Sequence, residues 1–511
     1  MRARILLALA LGIICPAAAQ PTSAPVRVVS LRDCFQLALA RNLDIQLQRL
    51  SSDVAGANVR SAYGPYDPLL SFNARHDFIT EPANYDLRKF NPYFPAEANI
   101  DTLGPSLTGK LPMGLSYNFS AFGREDNGRT DFSSNPADAL FFPPDGIRET
   151  NNYVASARVT VQQHLLRDFW IDADREQLLV RRKELKMSEQ ALRFQVMKTL
   201  LTVELSYTDL IAARENVRVQ EKSVELRQQL VSETRRRVEV GDLPPLDSEQ
   251  AETQLQNSLT AITAAREELI ARQNALKSLL TDDFKEWADL DLRPADSLPV
   301  LPADLDRAAC FANAEQNRPD LAEARLAVQR SDVTVKFRYN QLFPSLDVVA
   351  GFGGNGVQPD PGPAIGDAIG FHNPDYFYGA VLTIPLTRIG ERGSYQASKA
   401  VKQIAELQLK KAEQDVLLQV ADLINRAESR FAQVASTRKA RTYAEAALDA
   451  EQKKLANGFS TSFFVLQLQE TLTAARTAEL QAVADYNKAL AQLAFAQGIT
   501  LDRHRLTIQF K

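Results

Sequence analysis

The feature of this chain that most constrains its fold is an internal duplication. When the sequence is shifted by 276 residues, positions 34–74 align without gaps to positions 310–350, and 11 of the 41 aligned residues are identical. Average composition would give about two or three identities by chance. The order of segments that follows each copy also repeats, which the choice of shift cannot produce. The chain is therefore expected to contain two structural repeats of one unit.

Both repeats predict the same series of elements: a helix, a strand, a polar loop, a strand, a very long helix, a glycine turn and a shorter helix. The first repeat covers residues 20–303 and the second residues 304–511. Helices are predicted near 31–62, 172–239, 246–280, 304–341, 391–456 and 464–497. The last two helices of each repeat form long hairpins over 172–280 and 391–497.

Apolar residues on the long helices recur every three or four positions, as at Leu192, Val196, Leu200 and Val203. Such a stripe buries one helix face against neighbouring helices. Each of the long helices, at 172–239 and 391–456, would extend roughly 100 Å at 1.5 Å per residue. The first and last helices of one repeat, stacked end to end, would be about equally long, so they could lie beside a long helix in the wall of one tube. An antiparallel coiled-coil scaffold explains the helices equally well, but it does not explain the strands.

Segments near 68–163 and 345–386 alternate between apolar and polar residues. An apolar face, a wetter face and aromatic residues toward one end are typical of a transmembrane β-barrel, whereas the alternative is a soluble antiparallel sheet. About four strands are predicted per chain, or six if residues 105–122 add a hairpin. Because an open sheet edge in lipid is very costly, the chain must oligomerise cyclically, and three copies of four strands would make twelve. The apolar face is expected to carry Phe72, Ala74, His76, Phe78, Leu115, Tyr117, Phe119, Ala121, Leu346, Val348, Ala350, Phe352, Tyr376, Tyr378, Ala380, Leu382 and Ile384.

The stretch Gly351-Phe-Gly-Gly-Asn-Gly356 has the G-x-G-x-x-G spacing of a dinucleotide-binding turn. That site needs a helix directly after the glycines to hold the pyrophosphate. The prolines at 359, 361 and 363 indicate that no helix follows. The glycines are therefore predicted to lead into a loop over 354–375 with an exposed tip.

Residues 1–19 are predicted to be a cleaved signal peptide, because Arg2 and Arg4 precede an apolar run that ends in Ala17-Ala-Ala19. No later run reaches the ~18 apolar residues of a membrane helix, so any membrane insertion would use strands. The net charge of −4 argues against a nucleic-acid-binding surface. Neither an enzyme motif nor a metal or cofactor pattern is present. Cys34 and Cys310 could pair in an exported protein, but two buried free thiols are the favoured interpretation.

Three segments resemble the TolC-like outer-membrane efflux proteins: Asn317-Arg-Pro-Asp-Leu321, Phe343-Pro-Ser-Leu-Asp347, and Ile384-Pro-Leu followed by Gly390-Glu-Arg392. The resemblance covers essentially the whole mature chain, although His164 stands where the family usually has proline. It implies a mainly α-helical homotrimeric conduit, with a β-barrel in the lipid of a Gram-negative outer membrane and a helical tunnel across the periplasm. The helical tips would dock on a periplasmic adaptor tied to an inner-membrane pump or secretion ATPase.

The function implied is passive export of small molecules or polypeptides, without enzymatic chemistry. The alternative is an outer-membrane-anchored coiled-coil scaffold or adhesin that has no through-pore. The sequence favours the duct, because the two repeats can line one wall continuously.

The resemblance also assigns roles to the turns of the two hairpins, where Gly241 and Gly458 supply helix-ending geometry. The second turn departs from the family, because Leu455, Ser460, Phe464 and Gln467 stand where some members have Tyr, Arg and two Asp. We therefore predict an apolar constriction at Phe464, with Gln467 above it, that closes by packing or dewetting. The alternative is that Phe463 and Phe464 simply pack the hairpin. The predicted gate residues are Asp247, Leu455, Ser460, Phe464 and Gln467, and the predicted adaptor contacts are Val240, Gly241, Asp242, Leu243, Asn457, Gly458 and Phe459.

Overall fold

The structure is a computed structural model that describes residues 25–82, 96–131, 147–241, 243–302 and 305–506. It divides into two compact units, each built from both repeats. Among the described residues, the first contains those within 25–47, 195–317 and 417–506, and the second contains those within 48–194 and 318–416. The predicted signal peptide lies outside the described residues, and so do residues 303–304, where we placed the repeat boundary.

The described residues are mainly helical and also form two sheets. In the first repeat the elements are β1 (Val26–Val29), α1 (Leu31–Arg41), α2 (Leu43–Ser61), β2 (Leu69–Glu81), β3 (Ala96–Lys110), β4 (Leu115–Asp131), β5 (Ile147–His164), α3 (Ala173–Glu239), α4 (Pro245–Leu280), α5 (Phe284–Trp287) and β6 (Asp291–Pro294). In the second they are α6 (Arg307–Asn317), α7 (Pro319–Asn340), β7 (Ser345–Gln358), α8 (Pro361–Ile369), β8 (Asn373–Thr383), α9 (Ile389–Ala456), α10 (Ser462–Ala496) and α11 (Thr500–Arg503). No described helix is both long enough and apolar enough to cross a membrane.

The long helices match their predicted bounds closely, with 67 residues in α3 and 68 in α9. The opening helix of each repeat is instead broken in two. Asn42 ends α1, and its side-chain oxygen accepts hydrogen bonds from the backbone of Asp44 and Ile45 at 3.0 and 3.3 Å, so it also caps α2. Pro319 occupies the first position of α7, where a missing backbone N–H costs nothing.

The helical core of the first unit follows the predicted apolar stripe. Leu200, Val203 and Leu210 are fully buried. Tyr486 is also buried, and its hydroxyl donates to the Leu301 carbonyl at 2.7 Å, which satisfies its polar atom. Several alanines of α9 and α10 are buried, and larger side chains there would push the helices apart. They include Ala427, Ala444, Ala482, Ala484, Ala489, Ala491, Ala494 and Ala496.

A short parallel pair, β1 with β6, was not predicted. Its register places Val26 opposite Asp291 and Val29 opposite Pro294. The hydroxyl of Tyr207 donates to the Val29 carbonyl at 3.1 Å and also contacts the Asp296 carboxylate at 2.9 Å. This pair joins residues more than 250 positions apart, so no local pattern could reveal it.

The larger sheet of the second unit has six antiparallel strands in the order β2-β3-β4-β5-β7-β8. Residues 105–122 do contribute strands, because they form parts of β3 and β4. The six-strand alternative is therefore confirmed over the estimate of four. The first repeat supplies four of these strands and the second supplies two, so the duplication is unequal in the sheet.

The register confirms the predicted alternation of faces. Phe119 of β4 lies opposite Leu107 of β3 and Val159 of β5, and Phe352 of β7 lies opposite Tyr376 of β8. Residues opposite each other in a sheet share one face, and we call this one the apolar face. Those on the apolar face include Leu70, Phe72, Ala74, Leu103, Leu107, Leu115, Tyr117, Phe119, Ala121, Ala155, Ala157, Val159, Val161, Leu346, Val348, Ala350, Phe352, Tyr376, Tyr378, Ala380 and Leu382.

The prediction that Gly351–Gly356 leads into a loop was wrong. These glycines lie inside β7, and helix α8 follows, with Asp360 at its N-cap and Pro361 at its first position. Proline is tolerated there because that N–H is not needed inside the helix. Although a helix does open after the glycines, β7 and β8 are adjacent antiparallel strands, so this is not the parallel strand–helix–strand unit of a dinucleotide site.

Close approaches on both faces of β7 explain its glycines. A Cβ atom at Gly351 would overlap the Phe377 ring, and one at Gly353 would overlap the Ala157 carbonyl and the Asp375 side chain. On the apolar face, a Cβ at Gly354 or Gly356 would overlap backbone carbonyls of α8. Glycine in a strand often marks such a close approach of another backbone.

Cys34 and Cys310 are free and buried in the structure. Burial raises the pKa of the Cys34 thiol to about 12, and it also raises the pKa of Cys310. The amide of Gln497 lies 3.2 Å from the Cys310 sulfur. A buried thiol with a raised pKa is a poor nucleophile, because the thiolate is the reactive form.

We expect Cys34 and Cys310 to resist Ellman's reagent at pH 8 while the protein is folded. With a pKa near 12, only about one part in ten thousand of the Cys34 thiol would be ionised at that pH. In denaturant, both thiols should react at the rate of an ordinary cysteine. Rapid modification of the folded protein would contradict this assignment.

Candidate functional site

The turn between α3 and α4 is shaped by one glycine and two prolines. Gly241 has a φ of +84°, a left-handed conformation that favours glycine, and its N–H donates to the Val238 carbonyl at 3.1 Å. Pro244 caps α4, which begins at Pro245. Val240 is exposed and Leu243 is half-buried, whereas the predicted contact residue Asp242 lies outside the described residues.

The turn between α9 and α10 is a Schellman motif. Gly458 has a φ of +78° and donates to the Leu455 carbonyl at 3.1 Å, and the N–H of Phe459 donates to the Lys454 carbonyl at 2.9 Å. These two bonds satisfy carbonyls that the end of a helix leaves free. The chain therefore leaves α9 in a fixed direction, and the side chain of Phe459 projects into solvent.

Ser460 fastens this turn to the last part of α9. Its hydroxyl donates to a Glu451 carboxylate oxygen at 2.5 Å, and Lys454 approaches the other oxygen at 3.0 Å. The hydrogen bond from Ser460, followed by that from Lys454, holds the pKa of Glu451 below its ordinary value. Ser460 was predicted at the gate, and the contact that the structure gives it lies within its own hairpin.

Leu455, another predicted gate residue, belongs to the core beneath the turn. It is 7% exposed and clusters with Val465 and Leu466 of α10. The cluster also contains Leu230, Ala444, Leu448 and Leu472. The hairpin is therefore closed by these aliphatic side chains, of which only Leu455 was predicted to have a role, and that role was in the gate.

Phe463 and Phe464 do not fill that core. They are 58% and 51% exposed, and their rings meet edge to face at a centroid distance of 5.7 Å. Gln467 is exposed and stands three positions after Phe464, so both lie on one side of α10. Within a single chain, the two residues predicted to form the constriction are thus brought together and left uncovered.

Several charged residues lie around the turn between α3 and α4, and some of them form ion pairs. Asp247 is half-buried in the first turn of α4, where a carboxylate interacts favourably with the helix dipole. Arg235 pairs with Glu252 on the facing helix, and Arg237 pairs with Glu233 at 2.6 Å. This arrangement fits a solvated helix face better than a binding site. Among the described residues, no group of His, Cys, Asp and Glu could hold a metal ion.

Comparisons with known proteins agree with this architecture. Residues 311–498 match the family model described as outer membrane efflux protein. The outer membrane efflux protein BepC of Brucella suis biovar 1 (strain 1330) is 24% identical over 345 residues, which cover 67% of this chain and 71% of that relative.

Solved structures show the same fold. The CmeC outer membrane channel of Campylobacter jejuni gives a TM-score of 0.65 at 13% identity, covering 92% of this chain and 86% of CmeC. The outer membrane protein VceC of Vibrio cholerae gives a TM-score of 0.63 at 16% identity, covering 92% of this chain and 96% of VceC. With its duplicated helical hairpins and antiparallel sheet, the chain has the fold of these outer-membrane channels, and most of its second repeat matches the outer membrane efflux protein family.

Proposed function

We propose that this protein is the homotrimeric outer-membrane channel of a tripartite efflux or type I secretion system, through which small molecules or polypeptides pass passively. The observation that carries the proposal is the six-stranded antiparallel sheet with one apolar face and two open edges. Among the described strands, β2 and β8 each pair on one side only.

The two open edges are suited to closing a ring of copies. Because neighbouring strands alternate in direction and the sheet has six of them, β2 and β8 run in opposite directions. The β8 edge of one copy can therefore pair antiparallel with the β2 edge of the next. Closure removes the unpaired backbone groups that lipid cannot satisfy. Three copies would form eighteen strands rather than twelve, and barrels of that size leave an aqueous channel.

The face opposite the apolar one suits the lining of a water-filled passage. Arg158 forms an ion pair with Asp375 across β5, β7 and β8, and His164 contacts Asp347 at 2.5 Å. Ser71 and Ser106 share a hydrogen bond of 2.7 Å on the same face. A polar interior and an apolar exterior are the pattern of outer-membrane barrels.

The hairpin turns would serve as the docking and gating end. Val240 and Phe459 expose apolar side chains at the two turns, and such side chains would contribute to contact with an adaptor tied to an inner-membrane pump. Phe464 and Gln467 would face the passage and form its constriction. Asp247 would add a carboxylate at the first turn, and Leu455 and Ser460 would hold the second turn in shape.

The function is tested with the purified protein in detergent and in planar lipid bilayers. Light scattering should give the mass of three chains, and the bilayer should show discrete conductance steps, because each trimer would open one water-filled path. Infrared spectroscopy should show strand content compatible with six strands per chain. A monomer would favour the scaffold or adhesin alternative. So would an oligomer that gives no conductance even under conditions that loosen the hairpin turns.

A further inference from the structure

Helix α8 lies flat against the apolar face of the sheet. Ala364 and Ala368 are almost fully buried and pack against Ala155 of β5. Gly354 and Gly356 of β7 leave room for the helix backbone itself, since a Cβ atom at either position would overlap an α8 carbonyl. Small residues on both partners therefore hold the helix in direct backbone contact with the strand.

A row of polar residues crosses the apolar face at the level of α8. His76, Asp101, Glu125, Tyr153 and Gln358 are successive register partners on five strands. His76 contacts Asp101 at 2.7 Å, and Tyr153 donates to Glu125 at 2.9 Å. We call these five residues the polar row. Apart from Phe78 and Ile147, the apolar side chains of this face lie on the other side of the polar row from the connections that follow β2 and β4. The polar row therefore marks the edge of the main apolar area.

Helix α8 joins this edge by its polar side and leaves apolar residues uncovered on its outer side. The Gln358 amide donates to Asp367 at 2.7 Å, which ties the helix to the polar row. Ile365 and Ile369 are 47% and 63% exposed. They are four residues apart, so they project from one side of the helix. Two exposed isoleucines beside an apolar sheet face extend that face outward.

A groove of about 570 Å³ runs between α8 and strands β2 to β5. Leu103, Gly123 and Ala155 lie along the sheet side, and Ala364 and Ile365 form the helix side. His76 and Tyr153 of the polar row stand at one end. The groove thus combines an apolar interior with a polar end, which matches a molecule that has an alkyl chain and a polar head.

We propose that α8 is a membrane-interface helix and that this groove holds an acyl chain of a membrane lipid. The inference rests on the apolar face being the lipid-facing surface of the barrel. The groove opens on that face, so once the sheet is in the membrane its surroundings are acyl chains. Ile365 and Ile369 lie at the depth of the acyl region, and the lipid head lies level with the polar row.

Collision measurements with nitroxide labels test the placement of α8. Single cysteines at Ile365, Ile369 and Leu103 are labelled in otherwise wild-type protein, whose native thiols are buried, and the protein is reconstituted in phosphatidylethanolamine–phosphatidylglycerol vesicles. Oxygen, which concentrates in lipid, should relax all three labels more than a water-soluble nickel chelate does. Phe119→Cys on the apolar face provides the lipid reference, and Thr160→Cys on the opposite face provides the water reference.

The outcomes separate this inference from the proposed function. The label at Phe119 could be relaxed mainly by oxygen while the labels at Ile365 and Leu103 are relaxed mainly by the nickel chelate. In that case the sheet is in lipid but the groove is filled with water, and the inference fails. If Phe119 itself meets the chelate, the barrel orientation fails. Lipid exposure at Ile365 with chelate access at Leu103 would also overturn the acyl-chain site.

A matched pair of glycine variants tests the contact that holds α8. Gly356→Ala should lift the helix and increase the chelate accessibility of the Ile365 label several-fold, because the new methyl group meets the Ala364 carbonyl. Gly379→Ala in β8 has open space around its Cβ position and should leave the accessibility unchanged. Equal behaviour of the two variants would contradict the seating of α8 on β7.

Discussion

Replacing Phe464 by alanine is expected to raise the single-channel conductance of the reconstituted protein several-fold. The ring is half-exposed on α10, next to Gln467, and has no place in the hairpin core. Three copies brought together around an axis would form an apolar constriction, which blocks ions by excluding water. Alanine removes the ring but keeps the helix, since it is the best helix former.

The matched control is Phe463→Ala, measured in the same planar bilayers. Phe463 is equally exposed but lies about 100° further round the helix, since a turn holds about 3.6 residues. Its loss should change conductance little and leave the mass of the trimer unaltered. If Phe464→Ala conducts like the parent protein while it remains trimeric, the constriction proposal is wrong. If both variants raise conductance equally, the aromatic pair seals the passage as a unit rather than at Phe464.

Placing arginine at Phe119 is expected to prevent stable insertion into the membrane. Phe119 is near the middle of the apolar stretch of β4, and its side chain lies on the apolar face. A buried arginine at the membrane midplane costs a barrel about 2–4 kcal/mol per chain, and three chains would each carry that cost. The measurement is urea-dependent folding into phospholipid vesicles, followed by tryptophan fluorescence and by the amount of trimer on a semi-native gel.

Asn118→Arg is the control for this prediction. Asn118 is the neighbouring residue of β4 and points to the opposite face, where Thr108 and Thr160 are its register partners. An arginine there would remain in water and should be tolerated, with an altered ion selectivity of the channel. If Asn118→Arg abolishes insertion and Phe119→Arg does not, the two faces of the sheet have been assigned the wrong way round.

The helical hairpins and the faces of the strands could be predicted because their signals are local and periodic. The stripe through Leu192, Val196 and Leu200 recurs at the helical repeat, and it locates α3 to within a residue at each end. Alternation at Phe72, Phe119 and Phe352 placed each side chain on its correct face. The residues of the two turns were also found from sequence, because left-handed geometry at Gly241 and Gly458 requires glycine.

Other features depend on which segments meet, and no local pattern encodes that. Leu455 and Phe464 are both apolar residues near one turn, yet packing of α9 on α10 buries the first and leaves the second half-exposed. The glycines of β7 have the spacing of a nucleotide site, but their role is set by α8 and by Phe377, which approach from either side.

By itself, the sequence determined the duplication, the long hairpins and the amphipathic strands, because helix and strand periodicity act over a few residues. Tertiary structure alone decided the number of strands in the sheet, the pairing of β1 with β6 and the seating of α8 on Gly354 and Gly356. These depend on backbone hydrogen bonds and close contacts between distant segments. Their energy exists only once the segments have been brought together.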